Sequence, residues 1–160
     1  MIKFTASIAA TFIALVIILH IDKPNLPQSQ KIYYDTEYGV YHIWVKVNDC
    51  CMNFILDSGC SDMVISKKIL KELFKKKILF KKDLCGHCVA QSANGNCTFN
   101  TMYNIKTIVI CGKTIHNIKC IVMDSDKSEN LLGISVLKKL GKITIDFNNL
   151  ELLSDNSKWV

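Results

Sequence analysis

Alternating apolar and polar positions in the first half of the chain predict a β-hairpin. Residues 40–47 (VYHIWVKV) alternate in this way and are rich in β-forming residues, and Asn48-Asp49 supplies a turn before a second strand over 52–56. That second strand runs directly into Asp57. An aspartate in this place is expected at the end of a buried strand.

The second half of the chain has the same character. Strands are expected over 101–110 and 114–123 with a turn between them, and the segments ITIDF and LELL predict a last hairpin that turns at Asn148-Asn149. Short strands separated by frequent turn signals are typical of an all-β domain, either closed or sandwich-like.

Two short helices are expected between the strands. Ser66 can cap a helix that continues to about Lys77, because apolar residues recur there at helical spacing and form one stripe. A shorter helix is expected to end near Leu140. With 160 residues the chain is too short for two large lobes, so one compact domain is expected.

The amino-terminal segment is different. Phe4–Leu19 holds 16 uncharged, mostly apolar residues behind Lys3, which is close to the lower length limit for crossing a bilayer. A cleavable signal peptide is one interpretation, but no small-x-small cleavage site follows, so an uncleaved anchor is favoured. We therefore expect a transmembrane signal anchor over 1–21, a linker over 22–36 and the folded domain over 37–155. The protein would be a single-pass membrane protein with its domain outside the cytoplasm, in the periplasm if bacterial.

The net charge of +6 is carried by lysine rather than arginine. Many of these lysines fall within the predicted first helix and just after it, where they can form one solvated face. Such a face does not require a nucleic-acid partner, and none is expected.

Eight cysteines are many for a domain of this size, and in an oxidising compartment they could form disulfides. Cys85 and Cys88, in the sequence CGHC, have the spacing of a thiol-disulfide exchange centre. A redox enzyme places such a pair at the start of a helix, whereas the following VAQSANG predicts strand and turn. A structural disulfide is therefore the candidate, either locally between Cys85 and Cys88 or to a more distant cysteine. A zinc site with His87 or Cys97, or free thiols, are the alternatives.

The segment FILDSGCSDMVIS, residues 54–66, carries the chemistry. Asp-Ser-Gly directly after an apolar strand holds a carboxylate where Gly59 lets the backbone turn sharply. Alone, this tripeptide is a common turn. Two later motifs add weight: SANG at 92–95, with the hairpin signal Asn-Gly, and LLG at 131–133.

In this order the three motifs resemble those of the single-domain, retropepsin-like aspartic peptidases, in particular the bacterial-type group with an amino-terminal membrane segment. The resemblance runs from about Tyr41 to Leu153 and implies a small closed β-barrel with one or two short helices, usually a symmetric homodimer. It assigns catalysis to Asp57, support of the active-site loop to Ser58, Gly59, Leu131, Leu132 and Gly133, and a substrate-covering flap to Ser92, Ala93, Asn94 and Gly95. Cys60 stands where the family usually has alanine, and its small apolar side chain predicts packing; that its oxidation would perturb the site is the sharper hypothesis.

Peptide hydrolysis by carboxylates needs one as a base toward water and another as an acid toward the substrate. Because the chain has only one Asp-[Ser/Thr]-Gly, a two-fold axis would have to bring Asp57 of two subunits together. The sequence thus predicts a cofactor-free aspartic endopeptidase that acts as a homodimer on extended polypeptide. A membrane-tethered module that binds peptides without turnover is the alternative, and a CxxC redox protein is a more distant one.

Overall fold

In a computed structural model of the protein, residues 28–91 and 94–155 are described. The predicted anchor at 1–21, the first part of the predicted linker, and Ser92 and Ala93 of the predicted flap lie outside these residues. Within the described ranges, no helix has the length and apolar character needed to cross a membrane.

The described chain folds mostly into strands, which confirms the all-β prediction. The strands are β1 (Gln28–Asp35), β2 (Val40–Val47), β3 (Cys50–Leu56), β4 (Met63–Ser66), β5 (Leu84–Gln91), β6 (Cys97–Ile110), β7 (Lys113–Met123), β8 (Leu131–Leu132), β9 (Ile143–Asp146) and β10 (Glu151–Ser154). The helices are α1 (Lys67–Lys75) and α2 (Ile134–Leu140), and a 3-10 turn covers Lys81–Asp83. The predicted hairpins at 40–56, 101–123 and 143–154 are all present.

The strands hydrogen-bond in the order β5-β6-β7-β4-β8-β3-β2-β1-β10-β9. β2 also pairs with β6 where Lys46 and Val47 face Val109 and Ile108. Most neighbours are antiparallel, but β3 runs parallel to β8, and β4 runs parallel to β7. These two parallel pairs lie side by side, because β4 and β8 meet at Val64 and Leu131.

One side of most strands faces a single core, as the period-two pattern requires. In β2 the buried positions alternate through Ile43, Val45 and Val47, and Phe54 of β3 is fully buried beside them. The core continues through β6, where Ile105 is fully buried. This apolar layer fixes the register of β3 and therefore the place where β3 ends.

The first strand corrects the predicted linker at 22–36. Gln28–Lys31 of β1 pairs with β10, and Ile32–Asp35 pairs with β2. Of the described β1 side chains, Ile32 is the one that is buried in the core. The sequence pattern here is weak because β1 is held chiefly by backbone hydrogen bonds to two distant strands.

The first helix confirms the prediction from sequence. Ser66 is its N-cap, and the Ser66 hydroxyl accepts a hydrogen bond from the backbone amide of Ile69 at 3.2 Å. The lysines of α1 and of the segment after it are exposed, as expected of a solvated face. Two of them form ion pairs with the loop after β7: Lys67 with Asp124, and Lys71 with Asp126.

Candidate active site

Asp57 lies directly after β3, where the parallel neighbour β8 holds the chain. Ile55 and Leu56 are in register with Leu131 and Leu132, and the Asp57 amide donates to the carbonyl oxygen of Leu132 at 3.3 Å. Because Leu132 is fully buried, this backbone position is anchored to the core. The half-buried Asp57 side chain is left at the surface of the domain.

The Asp-Ser-Gly turn orients the carboxylate. The backbone amide of Gly59 donates to Asp57 Oδ1 at 2.8 Å, and the amide of Cys60 donates to the Asp57 carbonyl oxygen at 3.2 Å. Ser58 is exposed at the outside of this turn. The carboxylate is therefore held by its own loop through Oδ1.

Gly133 locks the loop against the start of α2. A β-carbon on Gly133 would lie 2.2 Å from the carbonyl oxygen of Asp62 and 2.6 Å from that of Cys60, so only glycine fits. The contact is reinforced by the amides of Ile134 and Ser135, which donate to the carbonyl oxygens of Cys60 and Ser61, both at 2.9 Å. The structure thus brings the predicted loop-support residues together: Ser58, Gly59, Leu131, Leu132 and Gly133.

A hairpin built from β5 and the first half of β6 overhangs this loop. Its last described pair is Gln91 with Cys97, and Gly95 has the left-handed φ of 83° that a tight turn needs. The side-chain amide of Gln91 donates to the Gly95 carbonyl oxygen at 3.3 Å. Asn94 and Gly95 therefore lie in the turn between β5 and β6.

A cleft of about 1080 Å³ separates the hairpin from the Asp57 loop. Its walls combine apolar and polar side chains with exposed backbone, contributed by Asp57, Gly59, Cys60, Ser61, Asp62, Val64, Cys88, Val89, Ala90, Gln91, Gly95, Met102, Ile121, Met123, Ser128, Glu129 and Leu131. Of these, the sequence predictions named only the Asp57 loop, Leu131 and the hairpin. Asp62 was missed although it lies within the same motif segment, and Glu129 carries no sequence signal beyond its charge.

The CGHC segment does not form the predicted disulfide. Cys85 and Cys88 are both free thiols and belong to the extended strand β5. Three residues of extended chain span roughly 10 Å, beyond the about 7 Å over which two α-carbons can be bridged. The helix that would activate a redox pair is also replaced by strand here, so the exchange-centre interpretation loses its structural basis.

Metal binding finds no support in the described residues either, since they contain no group of three or more histidine, cysteine, aspartate or glutamate side chains close enough to hold an ion. His87, the candidate zinc ligand, instead stacks on Phe99 with ring centroids 5.3 Å apart.

Cys60 lines the cleft beside Asp57. Its thiol donates to the Asp62 carbonyl oxygen at 3.2 Å. Burial raises the pKa of this thiol, and the negative charges of Asp57 and Asp62 raise it further, against the opposing effect of the hydrogen bond to Asp62. Cys60 is thus held as a neutral thiol next to the carboxylate.

Comparison with known proteins bears on this arrangement. The sequence profile of the family described as "gag-polyprotein putative aspartyl protease" matches residues 43–139. Among solved structures, the fold is similar to that of a retropepsin-like aspartic protease from Rickettsia conorii, at 26% sequence identity and a TM-score of 0.63, over 81% of this chain and 92% of the other. A comparison with curated proteins finds no match.

Proposed function

Because the chain belongs to the family of retropepsin-like aspartyl proteases, we propose that it is an aspartic endopeptidase whose catalytic carboxylate is Asp57. The observation that carries the proposal is the position of Asp57: it follows a buried strand, is oriented by the Gly59 amide at 2.8 Å, and faces the cleft under the β5–β6 hairpin. A carboxylate held in this way can take a proton from water while the hairpin covers the substrate.

The proposed catalytic unit is a homodimer. One chain supplies a single Asp-Ser-Gly loop, and hydrolysis of an amide needs a second carboxyl group as proton donor. A two-fold axis beside the exposed Ser58 would place two Asp57 side chains together, so that one can act as the base while the other donates the proton. In such a dimer Ser58 of each subunit braces the facing loop.

The proposed substrate is an extended polypeptide. β5 and β6 form a hairpin over one side of the cleft, and an extended peptide can bind there as an added strand through main-chain hydrogen bonds. We further propose that the ring of pairings β6-β7-β4-β8-β3-β2, which returns to β6, forms the closed barrel expected for such a domain.

We also propose that residues 1–21 anchor the protein in a membrane and that its domain lies outside the cytoplasm. Both proposals are supported by the apolar run Phe4–Leu19. Membrane fractionation followed by protease protection of intact cells tests both, and recovery in the soluble fraction contradicts the anchor.

The decisive test is Asp57→Asn. We expect cleavage of an unfolded protein at mildly acidic pH to fall by about 10²- to 10⁴-fold, while dimer formation in size-exclusion chromatography is retained. Asp49→Asn is the matched control, because that side chain is 94% exposed in the β2–β3 turn.

Mixing the variants tests the shared site. Limiting wild-type protein mixed with an excess of the Asp57→Asn variant should lose activity as mixed dimers form. Retained activity in that mixture contradicts a site made by two chains. A wild-type dimer that binds peptide but cleaves nothing contradicts the peptidase and leaves the peptide-binding module.

A further inference from the structure

The cleft is acidic on a molecule that is otherwise basic. Three carboxylates line it, those of Asp57, Asp62 and Glu129, and none of its described lining residues is lysine, arginine or histidine. The chain as a whole carries a net charge of +6. The local charge of the cleft is therefore opposite to that of the molecule.

Asp62 is held rigidly at one wall. Its carbonyl oxygen packs against Gly133 and accepts the Cys60 thiol at 3.2 Å, and β4 begins at the next residue. The carboxylate is half-buried, and it has no ion-pair partner among the residues that the structure describes. The pKa of the Cys88 thiol, on the overhanging hairpin, is raised first by burial and then by the negative charge of Asp62. The charge of Asp62 is therefore felt across the cleft.

Glu129 comes from the segment that precedes β8. The backbone there is fixed to β3 by the Ile55 amide, which donates to the Asn130 carbonyl oxygen at 2.9 Å, and by the Asn130 side chain, which donates to the Asn53 carbonyl oxygen at 3.2 Å. The Glu129 side chain is exposed, and the described part of the chain offers it no ion pair either.

Carboxylates outside the cleft behave differently. Several of them form ion pairs with lysines, for example Asp126 with Lys71 at 3.3 Å and Glu151 with Lys31 at 3.0 Å. Lysines are abundant, yet every lysine–carboxylate ion pair seen in the described ranges lies away from the cleft. The carboxylates of Asp62 and Glu129 are thus available to pair with a cationic group of the substrate.

The remaining lining suits a long basic side chain. Val64, Met102, Ile121 and Met123 supply apolar, partly flexible surface in the same cleft. Lysine and arginine have aliphatic stems that pack on such surface while their charged heads reach a carboxylate.

Resting on the proposed peptidase function, we infer that Asp62 and Glu129 make the cleft selective for polypeptide segments that carry lysine or arginine beside the cleaved bond. Asp62 and Glu129 act as specificity-determining residues: they bind the cationic head groups of the substrate and take no part in the chemical step.

The test compares matched peptides that differ at one position, with lysine, leucine or glutamate at each site flanking the cleaved bond. In the wild-type protein, kcat/KM for the lysine peptide should exceed that for the leucine peptide by on the order of tenfold, the size expected for a hydrogen bond to a charged group. The glutamate peptide should have the lowest kcat/KM of the three. Asp62→Asn and Glu129→Gln should each reduce the lysine-to-leucine ratio, and the double variant should bring it near one.

Asp126→Asn is the control, because it removes the same charge from the same loop as Glu129 but outside the cleft. It should leave the ratio unchanged. The inference is overturned if wild-type protein cleaves lysine and leucine peptides at equal rates. It is also overturned if the lysine preference is unchanged in both Glu129→Gln and Asp62→Asn.

A binding measurement separates this inference from the proposed function. Fluorescence anisotropy of labelled lysine and leucine peptides on the Asp57→Asn variant needs no turnover. Tighter binding of the lysine peptide without any cleavage by wild-type protein rejects the peptidase and supports the acidic cleft, whereas cleavage without discrimination in either assay rejects the acidic cleft alone.

Discussion

The backbone of Gly133 and the carbonyl oxygen of Asp62 are in contact, so closely that a β-carbon on Gly133 would lie 2.2 Å from that oxygen. Through this contact α2 begins directly against the loop that carries Asp57 and Asp62. The loop cannot shift without moving α2, whose Val136 and Leu140 are buried in the core. The same contact therefore fixes the positions of both Asp57 and Asp62 relative to the core.

Gly133→Ala should therefore damage both stability and activity. The added methyl group meets backbone on two sides, so we expect the free energy of unfolding to fall by about 3 kcal/mol or more. Gly39→Ala is the control: unlike Gly133, Gly39 has a left-handed φ of 68°, but a β-carbon there would lie 3.9 Å from its nearest atom, so this change should cost only about 1–2 kcal/mol of backbone strain. Urea unfolding measures both, and equal losses for the two variants contradict the packing argument.

The cysteines should react with iodoacetamide in an order set by burial and pKa. At about pH 7 the three exposed cysteines, Cys51, Cys85 and Cys97, should react first. Cys60 should be slower, because burial and the neighbouring carboxylates raise its pKa, and Cys111 slower again, because burial raises its pKa to about 11. Cys120 should be the slowest, because it is fully buried and burial raises its pKa further still. Timed alkylation with mass spectrometry gives the order.

This order also bears on oxidative control through Cys60. A thiol that stays protonated oxidises slowly, so wild type and Cys60→Ala should respond alike to a mild oxidant. Labelling of Cys60 as fast as Cys97, together with inactivation that only the wild type shows, contradicts this.

Reduction of the protein should leave its affinity for peptide unchanged. Cys85 and Cys88 are free thiols on an extended strand, so a reductant has no bond between them to break. The Michaelis constant before and after treatment with dithiothreitol is the readout, and alkylation without reductant should label both residues. A peptide in which Cys85 and Cys88 are found linked contradicts the geometry of β5.

Asp146 should make the last hairpin sensitive to acid. Its carboxylate accepts hydrogen bonds from the backbone and side chain of Asn149, at 3.0 and 2.8 Å, and from the Asn148 amide, and these lower the pKa of Asp146. Because the pKa of Asp146 is lower in the folded than in the unfolded state, the ionised carboxylate stabilises the fold at pH values above the unfolded pKa of about 4. This stabilisation is lost as the pH falls through the folded pKa.

The difference in melting temperature between wild type and Asp146→Asn should therefore narrow as the pH is lowered from about 6 to about 2. Asn149→Ala removes one hydrogen-bond donor to the same carboxylate. In that background, Asp146→Asn should change the melting temperature at about pH 6 by less than it does in the wild type. A difference that is constant over this range contradicts the role of the ionised form.

Local sequence patterns predicted the strands and the Asp-Ser-Gly turn. The alternation in β2 and the cap at Ser66 are decided within a few residues of sequence, and Asp57 is recognised because strand, aspartate and glycine follow one another directly. Each of these features depends on neighbours along the chain, so the sequence contains the information in readable form.

The cleft carboxylates could not be found in the same way. Asp62 and Glu129 are far apart in sequence, and only the parallel pairing of β3 with β8 and the contact of β4 with β8 bring their segments to one cleft. In the sequence each is an ordinary acid beside a turn. The CGHC spacing is a local pattern, and it suggested a disulfide between Cys85 and Cys88. That prediction failed because the extended backbone of β5 holds the two thiols apart.

The two-sided pairing of β1 has a practical meaning for expression of the protein. Recombinant protein that starts at residue 37 would omit the strand that joins β10 to β2 and would leave two unpaired strand edges, which favour aggregation. A version that retains Gln28 onward keeps both edges covered. Cloning boundaries placed upstream of Gln28 are thus the ones we expect to yield soluble, assayable domain.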